Sequence, residues 1–146
     1  MKPKKKKDRT FEQIWQLEMK IFDRFERSAK KDLKEIYDCR DLLIINDFGY
    51  CIGSPLEEVE KKELPINEKN FGKNNTTYIW SIGLIPEARG RGLGREMLHK
   101  IIMLSSKPRI SLDTTSDAMK KLCLKTGFKQ LSNTYFVYEK DDTKRI

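Results

Sequence analysis

The segment from residue 88 to residue 95, ARGRGLGR, constrains the fold of this chain more than any other. It joins the apolar run TYIWSIGLI, typical of a buried strand, to a stretch whose apolar residues recur at helical spacing: Leu93, Met97, Leu98, Ile101, Ile102 and Leu104. Glycines let the backbone approach an anion, and a helix N-terminus offers free N–H groups. The pattern therefore predicts a strand, a phosphate-binding turn and a helix.

Two common phosphate-binding motifs do not fit this turn. A P-loop needs Gly-Lys-Ser/Thr, which is absent from the segment. A dinucleotide fingerprint needs a third glycine at an offset that the spacing of Gly90, Gly92 and Gly94 does not supply.

Composition favours a single polar-surfaced domain. The chain has 146 residues, 38% of them hydrophobic and 36% charged, and its apolar runs are too short to span a membrane. Cys39, Cys51 and Cys123 form no CxxC motif and there is one histidine, so we expect no metal site and reduced thiols in a cytoplasmic protein. Residues 1–9 carry +5 of the net charge of +8, which predicts a basic flexible tail before a domain at 10–146.

The remaining patterns predict alternating helices and strands. An amphipathic helix is expected over roughly Phe11–Arg27 and a second, capped by Ser28, carries Leu33, Ile36 and Tyr37. LLIIND and YCIG form a hairpin, followed by a short helix to about Glu63. After the glycine-turn helix, RISLDT is a strand, Asp117–Thr126 a helix ended by Gly127, and TYFVYE a strand.

The glycine turn resembles the acetyl-CoA-binding signature of the GNAT family of N-acetyltransferases. The matching residues are Leu84-x-Pro86-x-x-Arg89-Gly90-x-Gly92-x-Gly94, and DAMKKLCLKTGFKQL resembles the family's second motif through Leu122, Gly127 and Phe128. The resemblance covers about residues 78–139. It implies a mixed, mostly antiparallel sheet, splayed at the cofactor cleft and flanked by about four helices. The sequence has no clear strand before the first helix.

The resemblance also implies where acetyl-CoA binds. The pantetheine arm is expected along the backbone of Ile82 and Leu84, and Ser116 stands where the family often has an asparagine. The pyrophosphate is expected on the turn, with its backbone amides and arginines: Arg89, Gly90, Arg91, Gly92, Leu93, Gly94 and Arg95.

The sequence offers several candidates for the catalytic acid and base. Cys123 occupies the position of the family's usual acid, a tyrosine, so it is the candidate catalytic residue, although a thiol on an apolar helix face also fits the core. Tyr135 or Tyr138 are alternatives for the acid. No glutamate occurs on the strand Tyr78–Leu84, which leaves water, Glu87 or an already neutral amine to meet the need for a base.

These observations predict an acetyl-CoA-dependent N-acetyltransferase whose acceptor is an amine, first of a protein and otherwise of a small molecule. Acetylation of aminoacyl-tRNA, with tRNA contacted by the basic tail, is one alternative. A CoA-binding module without turnover is the other. We expect a monomer or homodimer that does not associate with membranes.

Overall fold

A computed structural model of the chain describes residues 9–24, 28–59 and 75–140. The order of elements is α1 (Arg9–Ile21), α2 (Lys30–Asp38), β1 (Leu42–Asn46), β2 (Gly49–Pro55), α3 (Leu56–Val59), β3 (Thr76–Leu84), a 3-10 turn (Pro86–Ala88), α4 (Leu93–Leu104), β4 (Arg109–Asp113), α5 (Asp117–Thr126), β5 (Lys129–Gln130) and β6 (Tyr135–Glu139).

The strands form one mixed sheet in the order β1-β2-β3-β4-β6-β5. Only β3 and β4 pair in parallel among the strands described, and their neighbours are antiparallel. This is the mixed, mostly antiparallel sheet with flanking helices that the sequence predicted.

Apolar side chains fill both faces of the sheet. On one face, α1 and α2 pack through residues such as Ile14, Leu33 and Tyr37. On the other, α4 and α5 pack through residues such as Leu98, Ile101 and Cys123. The helical spacing of apolar residues therefore places two helices on each side of the sheet.

Several predicted boundaries need correction. The first helix ends at Ile21 rather than at Arg27, because Phe22, Asp23 and Arg24 leave the helix, and residues 25–27 lie outside the described part. The cap of α2 is Ala29, not Ser28. Arg9, assigned to the tail, begins α1. Residues 1–8, which would contain the rest of the predicted tail and any strand before α1, lie outside the described residues.

Other predicted elements agree with the structure. The hairpin β1–β2 pairs in register from Leu42↔Gly53 to Asn46↔Gly49. Helix α5 spans Asp117–Thr126 and ends at Gly127 in the left-handed region, φ 109°. The short strand β5 was not expected, because two residues are too few to show a pattern. The predicted end of the helix near Glu63 falls outside the described residues.

None of the helices in the described ranges has both the length and the apolar character needed to cross a bilayer.

Candidate active site

Strands β3 and β4 are paired along only the first half of β3. They are paired from Thr76↔Arg109 to Ile79↔Leu112, whereas β3 continues to Leu84 and β4 ends at Asp113. In the described structure, residues 81–84 thus have a strand partner on the β2 side only. The backbones of Ile82 and Leu84, predicted to receive the pantetheine arm, lie on this unpaired stretch, where an extended ligand can add as a strand.

A bulge marks the point of divergence. The pairing of β2 with β3 runs Ile52↔Ser81 and then Gly53↔Ile79, so Trp80 is an extra residue in β3. Bulges bend a strand and increase its twist, which accounts for the separation of β3 from β4 immediately after Ile79. The bulge also places Trp80 and Ser81 together on the face covered by α1.

The glycine turn follows β3 and ends at the first residue of α4. Gly90 and Gly92 have φ values of 81° and 77°, in the left-handed region that L side chains rarely adopt. A Cβ built on either would meet no atom within 4 Å, so backbone conformation, not crowding by the protein, requires these glycines. Gly92 caps α4 without a side-chain hydrogen bond, which leaves helix N-terminal amides available to an anion.

Leu93 and Gly94 form the first turn of α4 and are half-buried. A Cβ on Gly94 would lie 3.2 Å from Cδ2 of Leu122, so the glycine allows α5 to approach α4 across the cleft.

The three arginines of the turn have different surroundings. Arg89 donates from Nε to the Leu84 carbonyl at 3.2 Å and from Nη2 to the Ile21 carbonyl at 3.1 Å, tying the turn to the end of α1. A guanidinium has five N–H donors, so Arg89 keeps others for an anion. Arg95 is exposed and lines the cleft, whereas Arg91 is exposed outside its lining.

Ser116 faces the turn from the opposite wall. It is the N-cap of α5, and its Oγ accepts a hydrogen bond from the Met119 N–H at 3.2 Å. Its hydroxyl hydrogen remains available, since capping uses only the oxygen as acceptor. Ser116 lines the cleft together with Thr114 and Thr115.

Cys123 is placed away from this cleft. Its side chain is fully buried among Ile101 and Phe128, and the adjacent residue Leu122 lines the cleft instead. Burial raises the pKa of the Cys123 thiol to about 12. Tyr135 is likewise buried and Tyr138 packs on Phe128, and neither lines the cleft.

The cleft has a volume of about 830 Å³ and is lined by residues from both faces of the sheet. Met97, Met119 and Leu122 line it from the side of α4 and α5. Ile21, Phe22 and Trp80 line it from the side of α1. The cleft therefore extends from the glycine turn to the side chains of α1.

A carboxylate that the sequence analysis did not single out lies at the α1 end of the cleft. Glu18 lines the cleft and is only 1% exposed. It accepts hydrogen bonds from the Ser28 N–H at 2.6 Å, from the Tyr50 hydroxyl, and from the Ser81 hydroxyl at 3.3 Å. Burial first, and then the Glu18 carboxylate, raise the pKa of Tyr50 above its ordinary value, so the phenol is a neutral donor.

The position of Glu18 in the sequence of α1 is unusual for a charged residue. The buried face of α1 carries Phe11, Ile14, Leu17 and Ile21, and Glu18 falls four residues after Ile14, within that apolar stripe. A charged residue at such a position is rarely buried without a partner or a function. Among the described residues, none forms an ion pair with Glu18, and no group of three or more His, Cys, Asp or Glu side chains is placed to hold a metal.

Several solved structures have a fold similar to that of this chain. The GphF GNAT-like decarboxylase in complex with isobutyryl-CoA superposes with a TM-score of 0.63 at 8% identity, covering 88% of this chain and 94% of that one. The ribosomal-protein-S18-alanine N-acetyltransferase from Escherichia coli gives 0.59 at 14% identity, with coverages of 90% and 87%. The loading GNATL domain of CurA from Lyngbya majuscula gives 0.61 at 9% identity, with coverages of 88% and 92%.

At these identities the likeness establishes the fold and no more. No curated protein sequence is a significant match to the chain. The family evidence comes from a sequence model, described as the Acetyltransferase (GNAT) family, which matches residues 11–128. That range includes the splayed strands, the glycine turn and Glu18. The chain belongs to the GNAT family of acetyltransferases.

Proposed function

We propose that this protein is an N-acetyltransferase that transfers the acetyl group of acetyl-CoA to a primary amine, first of all an amine of a protein. The observation that carries the proposal is the cleft between β3 and β4, which joins a phosphate-binding turn on one side of the sheet to a buried carboxylate on the other.

The donor end of the cleft suits acetyl-CoA in three respects. The unpaired backbone of residues 80–84 offers hydrogen-bonding groups to an amide-containing arm. Gly90 and Gly92 leave open space above free helix amides for a pyrophosphate. Arg89 and Arg95 supply positive charge at the same end.

The acceptor end suits an amine. Glu18 and Ser81 offer oxygen atoms, and the indole of Trp80 stands beside them with its Nε1 donating to Ser28 Oγ at 3.2 Å. A carboxylate next to an aromatic ring favours a cationic group over a neutral hydroxyl compound. Holding amine and thioester in one cleft supplies much of the rate enhancement, so the chemistry does not require Cys123.

The test is a binding measurement followed by an acceptor screen. Calorimetry of the purified protein with acetyl-CoA should give a one-site complex. Mass spectrometry should then detect acetylated product from a panel of unblocked peptides, lysine-containing peptides, polyamines and aminoacyl-tRNA. Binding of acetyl-CoA without any acetylated amine would favour the CoA-binding module, and a product only from aminoacyl-tRNA would favour that acceptor class.

A further inference from the structure

We infer that Glu18 is the base of this active site: its carboxylate takes a proton from the ammonium form of the acceptor, and thereby restricts acceptors to amines that enter beside α1. The inference rests on the proposed amine acetylation and assigns its missing proton acceptor.

The position of Glu18 is the first argument. It lines the cleft beside Ser81, on the stretch of β3 that has left β4. For an amine that reaches a thioester along residues 80–84 from the α1 side, this carboxylate is part of the cleft wall. Glu87, the glutamate considered from the sequence, is exposed on the 3-10 turn and does not line the cleft.

The partners of Glu18 are the second argument. All of them are neutral donors: the Ser28 N–H, the Tyr50 hydroxyl and the Ser81 hydroxyl. They hold the carboxylate in place and satisfy three of its roughly four lone-pair sites, while no described cation neutralises it. Because these partners carry no positive charge, no described counter-ion competes with a cationic substrate for the carboxylate.

One of the three described hydrogen-bond partners of Glu18 is a titratable side chain. From β2 it faces the Tyr50 phenol, while β3 and the segment before α2 contribute the Ser81 hydroxyl and the Ser28 amide. At the C-terminal end of α1, the guanidinium of Arg89 donates a hydrogen bond to the Ile21 carbonyl.

The step balances without an additional reagent. Glu18 takes one proton from the ammonium, and the neutral nitrogen attacks the thioester carbonyl. The C–N bond forms, the C–S bond breaks, and the second nitrogen proton goes to the CoA thiolate. Glu18 then releases its proton to water, so the products are the amide, CoA and one proton.

The experiment compares Glu18→Gln with the wild type at pH 7 and pH 9, using an N-acetylated peptide with one lysine as the probe. Loss of a positioned base should lower kcat at pH 7 by about a hundredfold or more. Because a lysine amine has a pKa near 10.4, its neutral fraction rises about a hundredfold between these pH values. The variant should therefore recover most of the loss at pH 9, with an unchanged affinity for acetyl-CoA.

Two further variants distinguish a role of Glu18 as a base from a purely structural role. Glu12→Gln changes a glutamate of the same helix that pairs with Lys30 outside the cleft, and should retain wild-type kcat. Tyr50→Phe removes one donor but keeps the carboxylate, and should lose less than tenfold. If Glu18→Gln does not fold, Glu18→Asp takes its place, with an expected loss of about tenfold at pH 7 and the same recovery at pH 9.

The outcomes are distinct. A Glu18→Gln variant within threefold of wild type at pH 7, or one equally impaired at both pH values, overturns the assignment of Glu18 and leaves amine acetylation standing. A wild-type protein that binds acetyl-CoA but acetylates neither this peptide nor any amine of the screen refutes the proposed function, and the assignment of Glu18 with it.

Discussion

Replacing Cys123 with alanine tests whether the chain uses the position at which its family often has a catalytic tyrosine. The thiol is fully buried, lies among core side chains, and is absent from the lining of the cleft. We therefore predict that Cys123→Ala lowers kcat by less than about tenfold, equivalent to about 1.4 kcal/mol of activation free energy.

The small expected loss of kcat follows from the protonation state of the Cys123 thiol, and the expected loss of stability follows from its packing. With its pKa raised to about 12 by burial, the thiol stays protonated at pH 7, so it is a poor nucleophile. As a core residue it contributes packing, and its truncation should lower the free energy of unfolding by about 1–2 kcal/mol.

The assay combines steady-state turnover, urea unfolding and intact-mass analysis. Cys51→Ala is the matched control, because Cys51 is also fully buried and its pKa is also raised by burial, yet it lies on β2. Both variants should lose similar stability and little turnover. A hundredfold loss of kcat confined to Cys123→Ala, or an acetyl group trapped on Cys123, would refute the reasoning.

Three further perturbations test the donor site, the packing of α1 and the tail. Gly92→Val, at a φ of 77°, should weaken acetyl-CoA binding at least tenfold by calorimetry, and an unchanged Kd in a folded variant would contradict the phosphate assignment. Gly83→Ala would bring a Cβ within 2.5 Å of Ile21 Cγ2, and should cost about 1–3 kcal/mol in urea unfolding; equal stability would contradict the close approach of α1. Deleting residues 2–8 should leave turnover of a small neutral amine unchanged and weaken any contact with RNA or an acidic protein in a salt-dependent way; a severe loss of turnover would place the tail in the active site.

Local patterns were sufficient to predict much of this fold. The helical spacing before Gly127 gave the bounds of α5, and the glycine turn lies between a strand and a helix as expected. These features depend on residues adjacent in the sequence, so periodicity and capping chemistry reveal them.

Glu18 could not be assigned in the same way, because its environment is assembled from distant segments. Its partners Ser28, Tyr50 and Ser81 come from three different parts of the chain. Regular alternation along β3 would put Ser81 on the same face as Ile79, away from α1. The bulge reverses this expectation, and no periodicity reveals a bulge.

The bulge at Trp80 lets β3 stay paired with β2 on both sides of the bulge while it separates from β4 after Ile79. Removing this single residue would preserve every other pair with β2, since Ile79 and Ser81 already face consecutive residues of that strand, Gly53 and Ile52. It would also remove the cause of the bend next to the last β3–β4 pair, Ile79↔Leu112. The two strands could then continue their pairing toward Leu84, which would close the gap between them. The gap in the centre of this sheet thus depends on one inserted amino acid.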